Sequence, residues 1–471
     1  MSAVIVFLFA LTMLTTAVTA SWPQFGSDES NNAVTSAQTP AGAQEAELVF
    51  KTVIRSAGSW DGISNIVVAG SYLYVAVGDT LFKLDKNGSI TADATLAASV
   101  SSSPFIAYGE GMIFAFVSDG INGYIQSVNA ASMKIVAVSR PFPGMECFSP
   151  ITYHEGRVYL AVSGYDYSSW SILPGVIIGI DASLEDNGSM FILDSGLSYY
   201  WNGTAVAGSR VIAGSREGVV QVIGSGNGNI IDQIDVGEGI RTSISMSGST
   251  AYFGTGEGSV GRIGLAGDGS MDKGSLKLVS LGSQVTTTPV VYKGRIYAGT
   301  GDFIGGTGLY VIDADTMTVS YSVQIPGTDS WSGAAIDTAG IQTSPVLSSA
   351  YGSDLYVYFS INAKPGALMV LKDNALQSNG EVTVVFSPDE SDSNSAIVPL
   401  SAGDDGTVYY INDSGILFAI GKEKTVDVPA PLTGTGKGLY LFYIMAAALA
   451  GMALLSVGRI KRHQTVRSKI K

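Results

Sequence analysis

The stretch TPVVYKGRIYAGTGDFIGGTGLYVIDA, residues 288–314, decides the fold. Two short apolar runs flank Lys293-Gly294, and a glycine-rich loop leads to a third run, LYVID. Each run is too short for a helix and is rich in Val, Ile and Tyr, so each reads as a strand between turns. The middle phrase recurs along the chain as YLYVAVG, MIFAFVS, RVYLAVS, RVIAGSR, TAYFGTG, RIYAGTG, DLYVYFS and TVYYIND. Their centres are Tyr74, Phe114, Tyr159, Ile212, Tyr252, Tyr297, Tyr356 and Tyr409, at intervals of 40 to 59 residues. Eight units at this spacing predict an all-β, eight-bladed β-propeller with four-stranded antiparallel blades.

The remaining strands of each unit are legible too. An inner strand opens on Ser-Pro or Thr-Pro in SSPFIAY, FSPITYH, TTPVVYK and TSPVLSS. Proline suits a strand start, where its missing N–H costs no ladder bond. Third strands such as VIIGIDA and LYVIDAD follow the centre, and fourth strands such as KIVAVSR and VTVVFSP come after a turn. The eighth unit stops near ILFAIGKEK without a fourth strand. Residues 47–55, ELVFKTVIR, have fourth-strand character and no unit of their own. They are expected to pair with residues 416–420 and close the ring, burying the edges an open array would expose. One domain then covers residues 47–421, with 21–46 as an N-terminal lead-in. The 58 glycines suit a plan with several tight turns per blade.

Both ends depart from this pattern. Residues 1–20 carry no charge and hold an apolar run, with Val18 and Ala20 before Ser21 as in a secretory signal peptide. Residues 438–458 are uncharged and long enough to cross a bilayer as one C-terminal transmembrane helix. Six cations follow in residues 459–471, which places that tail in the cytoplasm and the propeller outside. Residues 422–437 read as a Pro/Gly linker. Within it Ala430, Pro431, Leu432, Thr433 and Gly434 resemble the Leu-Pro-x-Thr-Gly signal of sortase substrates, with Ala430 in place of its leucine. A retained membrane span is the alternative to wall linkage, and both put the propeller at the cell surface.

The net charge of −14 divides into −20 before residue 459 and +6 after it. So acidic a body repels phosphate, and no nucleic-acid partner is expected. One cysteine, Cys147, excludes an internal disulfide, and with two histidines it excludes a zinc site.

The repeat, the lead-in SWPQFGSDESNN and the phrases of residues 288–314 together resemble the pyrroloquinoline-quinone-like (PQQ-like) β-propeller repeat family. That resemblance implies the propeller fold and two kinds of relative. Quinoprotein dehydrogenases use adjacent cysteines, calcium and an aspartate base. Scaffold members include the propeller lipoprotein of the outer-membrane barrel-assembly machinery, held by a lipidated N-terminal cysteine. A lone Cys147 cannot supply the pair, and no unit lines up with the calcium and base motifs. No PQQ, Ca2+ or other cofactor or metal, and no enzymatic activity, is therefore expected. No cysteine follows the signal segment, so the lipid anchor does not carry over.

The third unit carries an insertion, GYDYSSWSILPG, and the fourth opens with SYYWNG. Together they supply Tyr165, Tyr167, Trp170, Tyr199, Tyr200 and Trp201 as a candidate ligand-binding cluster, suited to sugar rings or a protein partner. Mutual packing of these rings is the alternative. Trp60 and Trp331 are expected to pack between blades. Asn87, Asn187, Asn202 and Asn412 lie in Asn-x-Ser/Thr sequons and are candidate glycosylation sites. Acid-rich turns at residues 387–395 and 404–405 are expected to be solvated rather than to hold calcium. Asp85, Asp181 and Asp313 are expected to bond turn amides, and His154 to sit in a surface turn. The expected function is a monomeric, non-enzymatic surface propeller that binds or scaffolds a protein or carbohydrate partner. A divergent quinoprotein oxidoreductase and a wall-linked spacer are the rivals.

Overall fold

The computed structural model describes residues 20–55, 61–100, 105–185, 190–302, 305–374 and 378–423. Most of the signal segment, nearly all of the linker, residues 430–434, the apolar run, the basic tail, Trp60 and Asn187 lie outside the described residues. No helix among the described residues is long and apolar enough to cross a membrane.

Eight antiparallel blades follow one another along the chain. The sixth is the plainest: Val290–Tyr292, Arg295–Gly299, Leu309–Asp313 and Thr318–Val323 hydrogen-bond in chain order. The inner strand of the eighth blade, Ser401–Ala402, lies against that of the first, Val67–Ala69, and completes a propeller ring. Ala46–Val53 pairs antiparallel with Ile416–Lys422 and supplies the outer strand of the eighth blade.

Three recurring contacts explain the repeated phrase. First, the glycine ending the second strand has no room for a side chain. A Cβ on Gly214 would lie 2.8 Å from Ile240, and one on Gly299 2.6 Å from Ile341, a residue leading into the next blade. Second, a buried hydroxyl before the inner strand accepts a second-strand N–H. Ala76 donates to Ser64 at 2.8 Å, Gly254 to Thr242 at 2.8 Å, and Gly299 to Thr287 at 2.7 Å. Each satisfies a backbone donor that the short inner strand leaves unpaired. Third, the central tyrosine reaches the following blade. Tyr74 donates to Ala130 O at 2.9 Å, Tyr159 to Ser225 O at 3.2 Å, and Tyr297 to the Asp373 carboxylate at 2.7 Å. The ring fills the space between sheets and its hydroxyl stays bonded, as a buried tyrosine requires.

The blades are not uniformly four-stranded. The first and third have five strands, the second six, and the seventh five. The lead-in accounts for two of the extra strands. Ala20–Trp22 pairs with Val67–Ala69, and Val34–Thr35 runs parallel to Val346–Tyr351. Between them the lead-in visits the inner strands in order. Pro23 O accepts from Tyr108 N at 2.7 Å, Gln24 Oε1 from Tyr153 N at 2.6 Å, Glu29 O from Val206 N at 2.8 Å and Ser30 O from Met246 N at 2.8 Å. Asn32 exchanges two bonds with Val291, and Ala33 O accepts from Leu347 N. Residues 21–46 are thus part of the propeller, because its inner edges offer backbone groups that a passing chain satisfies.

Trp331 is a correction. It is 76% exposed and does not pack between blades.

Candidate functional site

The second and third strands of the third blade, Arg157–Asp166 and Ser171–Asp181, run past the sheet as a hairpin. Asp166 closes its tip by accepting from Ser168 N at 2.9 Å and from the Ser168 and Ser169 hydroxyls at 2.7 and 2.6 Å. These bonds hold the Asp166 carboxyl down at about 2. Trp170 stands at this tip, 78% exposed. Its φ of 57° is left-handed, a conformation a bulky side chain seldom adopts. Trp201 shares it, with φ of 67°.

The rings behind the tip form a continuous run. Tyr167 meets Tyr165 edge-on at 4.7 Å, Tyr165 lies 5.2 Å from Phe148, and Phe148 lies 5.3 Å from Tyr200. Tyr200 stacks on Trp201 at 5.6 Å and 9°. The Arg241 guanidinium sits over both, 4.6 and 4.2 Å from the ring centres. Burial pushes Arg241 below its ordinary pKa, and stacking on rings suits a cation held out of water. Tyr167 also donates to the buried Glu146 carboxylate at 2.8 Å, which fixes the hairpin to the blade.

Four of the six candidate aromatics, Tyr165, Tyr167, Tyr200 and Trp201, therefore belong to one ring run, and Trp170 stands exposed at the hairpin tip. The sixth, Tyr199, is 1% exposed, belongs to the core and bonds Ser195 at 3.2 Å. Phe148, Glu146 and Arg241 complete the run, and sequence reasoning missed all three. Phe148 and Glu146 sit in MECFSP, a connection without repeat pattern, and Arg241 comes from the fifth unit.

The run ends at a cavity of about 150 Å³ on the propeller axis. Connections into the inner strands line it, among them Phe105, Trp201, Thr242 and Gln342, with Phe25 from the lead-in. Asp61 and Asp413 also line it. Arg55 donates to the backbone oxygens of both, that of Asp61 at 3.2 Å. Burial raises the Asp413 carboxyl above the usual range, opposed by its 2.6 Å bond from Ser395.

The other candidates are engaged elsewhere. Asn202 and Asn412 are fully buried and donate to Ile240 O at 2.9 Å and Asp392 O at 2.6 Å. Those amides are inside the fold and cannot carry glycans in it, which leaves Asn87 as the exposed sequon among the described residues. Asp392 pairs with Lys51 at 2.6 Å, and Asp404 with Lys86 at 2.9 Å. Asp85 and Asp313 accept turn amides, whereas Asp181 takes Arg157 at 2.9 Å. His154 ends a strand, with Nδ1 3.3 Å from Glu29.

The residues do not fit the quinoprotein set. Cys147 is buried, donates to Ser149 O at 3.3 Å, and burial pushes its thiol up to about 12. It has no second cysteine to join. Among the described residues no three His, Cys, Asp or Glu side chains are grouped to hold a metal.

No family model matches the chain, and no curated protein sequence is similar to it. Solved structures are similar in fold. The quinohemoprotein alcohol dehydrogenase ADHIIG from Pseudomonas putida HK5 superposes with a TM-score of 0.61 at 8% identity, over 88% of this chain and 82% of its own. BamB from Moraxella catarrhalis gives 0.52 at 12% identity, over 80% and 99%. The computationally designed Ika8 protein gives 0.54 at 14%, over 78% and 97%. At these identities the likeness shows the fold alone.

Proposed function

We propose that the protein is a non-enzymatic binding module, carried outside the cell on its C-terminal segment, and that a protein partner docks on the aromatic hairpin of the third blade. The carrying observation is Trp170, a large apolar side chain held out at the tip of a hairpin whose Tyr165 and Tyr167 belong to the packed ring run. Exposed tryptophan on a fixed support is the usual composition of an interface anchor. The likeness in fold to BamB is compatible with this reading. The lack of fit to the quinoprotein residues counts against the oxidoreductase alternative. The apolar run at 438–458 and its cationic flank support outward display.

A photo-crosslinking amino acid placed at Ser169 on intact cells tests the proposal. A discrete crosslinked protein is expected, lost with Trp170→Ala, with affinity down at least tenfold for a side chain of this kind. No adduct, or one unchanged by Trp170→Ala, refutes docking at the hairpin.

A further inference from the structure

The strands of each blade run antiparallel in chain order. The connection between second and third strands and the connection into the next blade therefore emerge on one face of the ring. The other two turns of each blade emerge on the opposite face. Trp170 lies between the second and third strands of the third blade, Arg157–Asp166 and Ser171–Asp181. Trp331 lies between the last strand of the sixth blade, Thr318–Val323, and the inner strand of the seventh, Val346–Tyr351. The two tryptophans, 78% and 76% exposed, thus stand on the same face.

Their tips are built alike. Asp329 accepts from Trp331 N at 3.1 Å, Ser332 N at 2.6 Å and the Ser332 hydroxyl at 2.6 Å, as Asp166 does from Ser168 and Ser169. A short hairpin, Gly327–Thr328 with Ala335–Ile336, carries the turn. Thr328 and Lys364 exchange backbone bonds of 3.1 and 2.8 Å, which fix it to the second-to-third connection of the seventh blade. Third blade and sixth-to-seventh junction lie across the ring from each other. With packed sheets about 10 Å apart, a ring of eight separates the tips by roughly 25 Å. A short loop reaches one of them, whereas a folded domain seated over the axis reaches both.

The same face is acidic. Asp79, Asp119, Asp194, Asp235, Glu257 and Asp337 are exposed on its connections. Among the described residues the cations on those connections are Arg55, Arg140, Arg216, Arg241 and Lys364. Arg55 is bonded to backbone oxygens and Arg241 lies over rings, so neither offsets the acids at the surface. Such a face attracts a basic partner and repels an anionic lipid surface. Ile416–Lys422 is the third strand of its blade and ends on the opposite face, so the chain leaves the ring away from both tryptophans.

We infer that the partner is a basic folded domain that bridges the Trp170 and Trp331 tips over the propeller axis. This rests on the proposed docking at the third-blade hairpin and adds to it the second anchor, the span and the sign of the charge.

Photo-crosslinking residues placed singly at Ser169 and Ala334 of the full chain on intact cells test it. One protein with a basic isoelectric point, identified by mass spectrometry, is expected at both positions. Trp331→Ala should lower the Ser169 adduct at least threefold, and Glu257→Lys with Asp337→Lys should lower both adducts. Raising salt from about 0.05 to 0.5 M before irradiation should weaken both by screening. The bridging inference is overturned, with hairpin docking intact, if the Ser169 adduct is lost with Trp170→Ala but not lowered by Trp331→Ala, or if Ala334 gives no adduct. Different proteins at the two positions, an acidic protein, a lipid adduct, or adducts indifferent to salt and to the charge reversals overturn it as well. No adduct at Ser169 removes both readings together.

Discussion

At the scale of single residues, two of the candidate aromatics share an unusual backbone. Trp170 and Trp201 both adopt left-handed backbone, one on the surface and one at the cavity. Nothing in the letters WNG or SWS predicts a positive φ for tryptophan. Tyr199 shows the same limit. It stands beside Tyr200 in sequence, yet one is core and the other belongs to the ring run. Asp413 supplies a test by pH. Burial holds its carboxyl above the ordinary 3.8, so the folded chain binds this proton more tightly than the unfolded chain. The stability it contributes is full below the unfolded pKa and is lost as pH rises through the folded value. The melting temperature of the wild type, relative to Asp413→Asn, should fall as pH climbs from 3.8. A flat or rising difference contradicts a buried, proton-favouring carboxyl.

At the scale of elements, the lead-in differs most from expectation. It carries no blade-like phrase, so its sequence reads as a connection, but it binds inner strands as it passes them. Asn31 is its tightest point. Its side-chain amide donates to Thr204 O at 2.8 Å and Ile244 O at 2.9 Å, and its φ is 54°. Asn31→Ala takes a donor from the buried Ile244 O and one of two from Thr204 O, which keeps the Thr152 hydroxyl, and puts alanine in a conformation asparagine tolerates better. A loss of about 2 to 3 kcal/mol is expected by denaturant unfolding, with an unchanged m-value. A loss under about 0.5 kcal/mol would show the lead-in to be peripheral. The hairpin of the third blade was readable as an insertion. Its register, Tyr165 opposite Ile172, follows from the bulge at Ser163/Gly164 and was not.

At the scale of the whole molecule, one pairing joins residues 46–53 to residues 416–422 and closes the last blade. Phe50, 8% exposed, lies in the same core cluster as Leu417 and Phe418 and 6.4 Å from the Tyr409 ring. Phe50→Ala should cost about 3 kcal/mol and speed cleavage by a protease after Val53. Calorimetry that finds no fall in melting temperature would mean the closing strand does not hold the ring. The sequence by itself determined the strands, the repeat and the eightfold plan. Those depend on local alternation, turn residues and spacing, which are written along the chain. It also determined the charge division and the lone cysteine. Only the tertiary structure decided that the lead-in is integral, that Asn202 and Asn412 are buried, and that Phe148, Tyr200, Trp201 and Arg241 meet beside an axial cavity. The physical reason is that these contacts join different blades. Ring closure sets their distances, and no local pattern along the chain encodes which side chains it brings together.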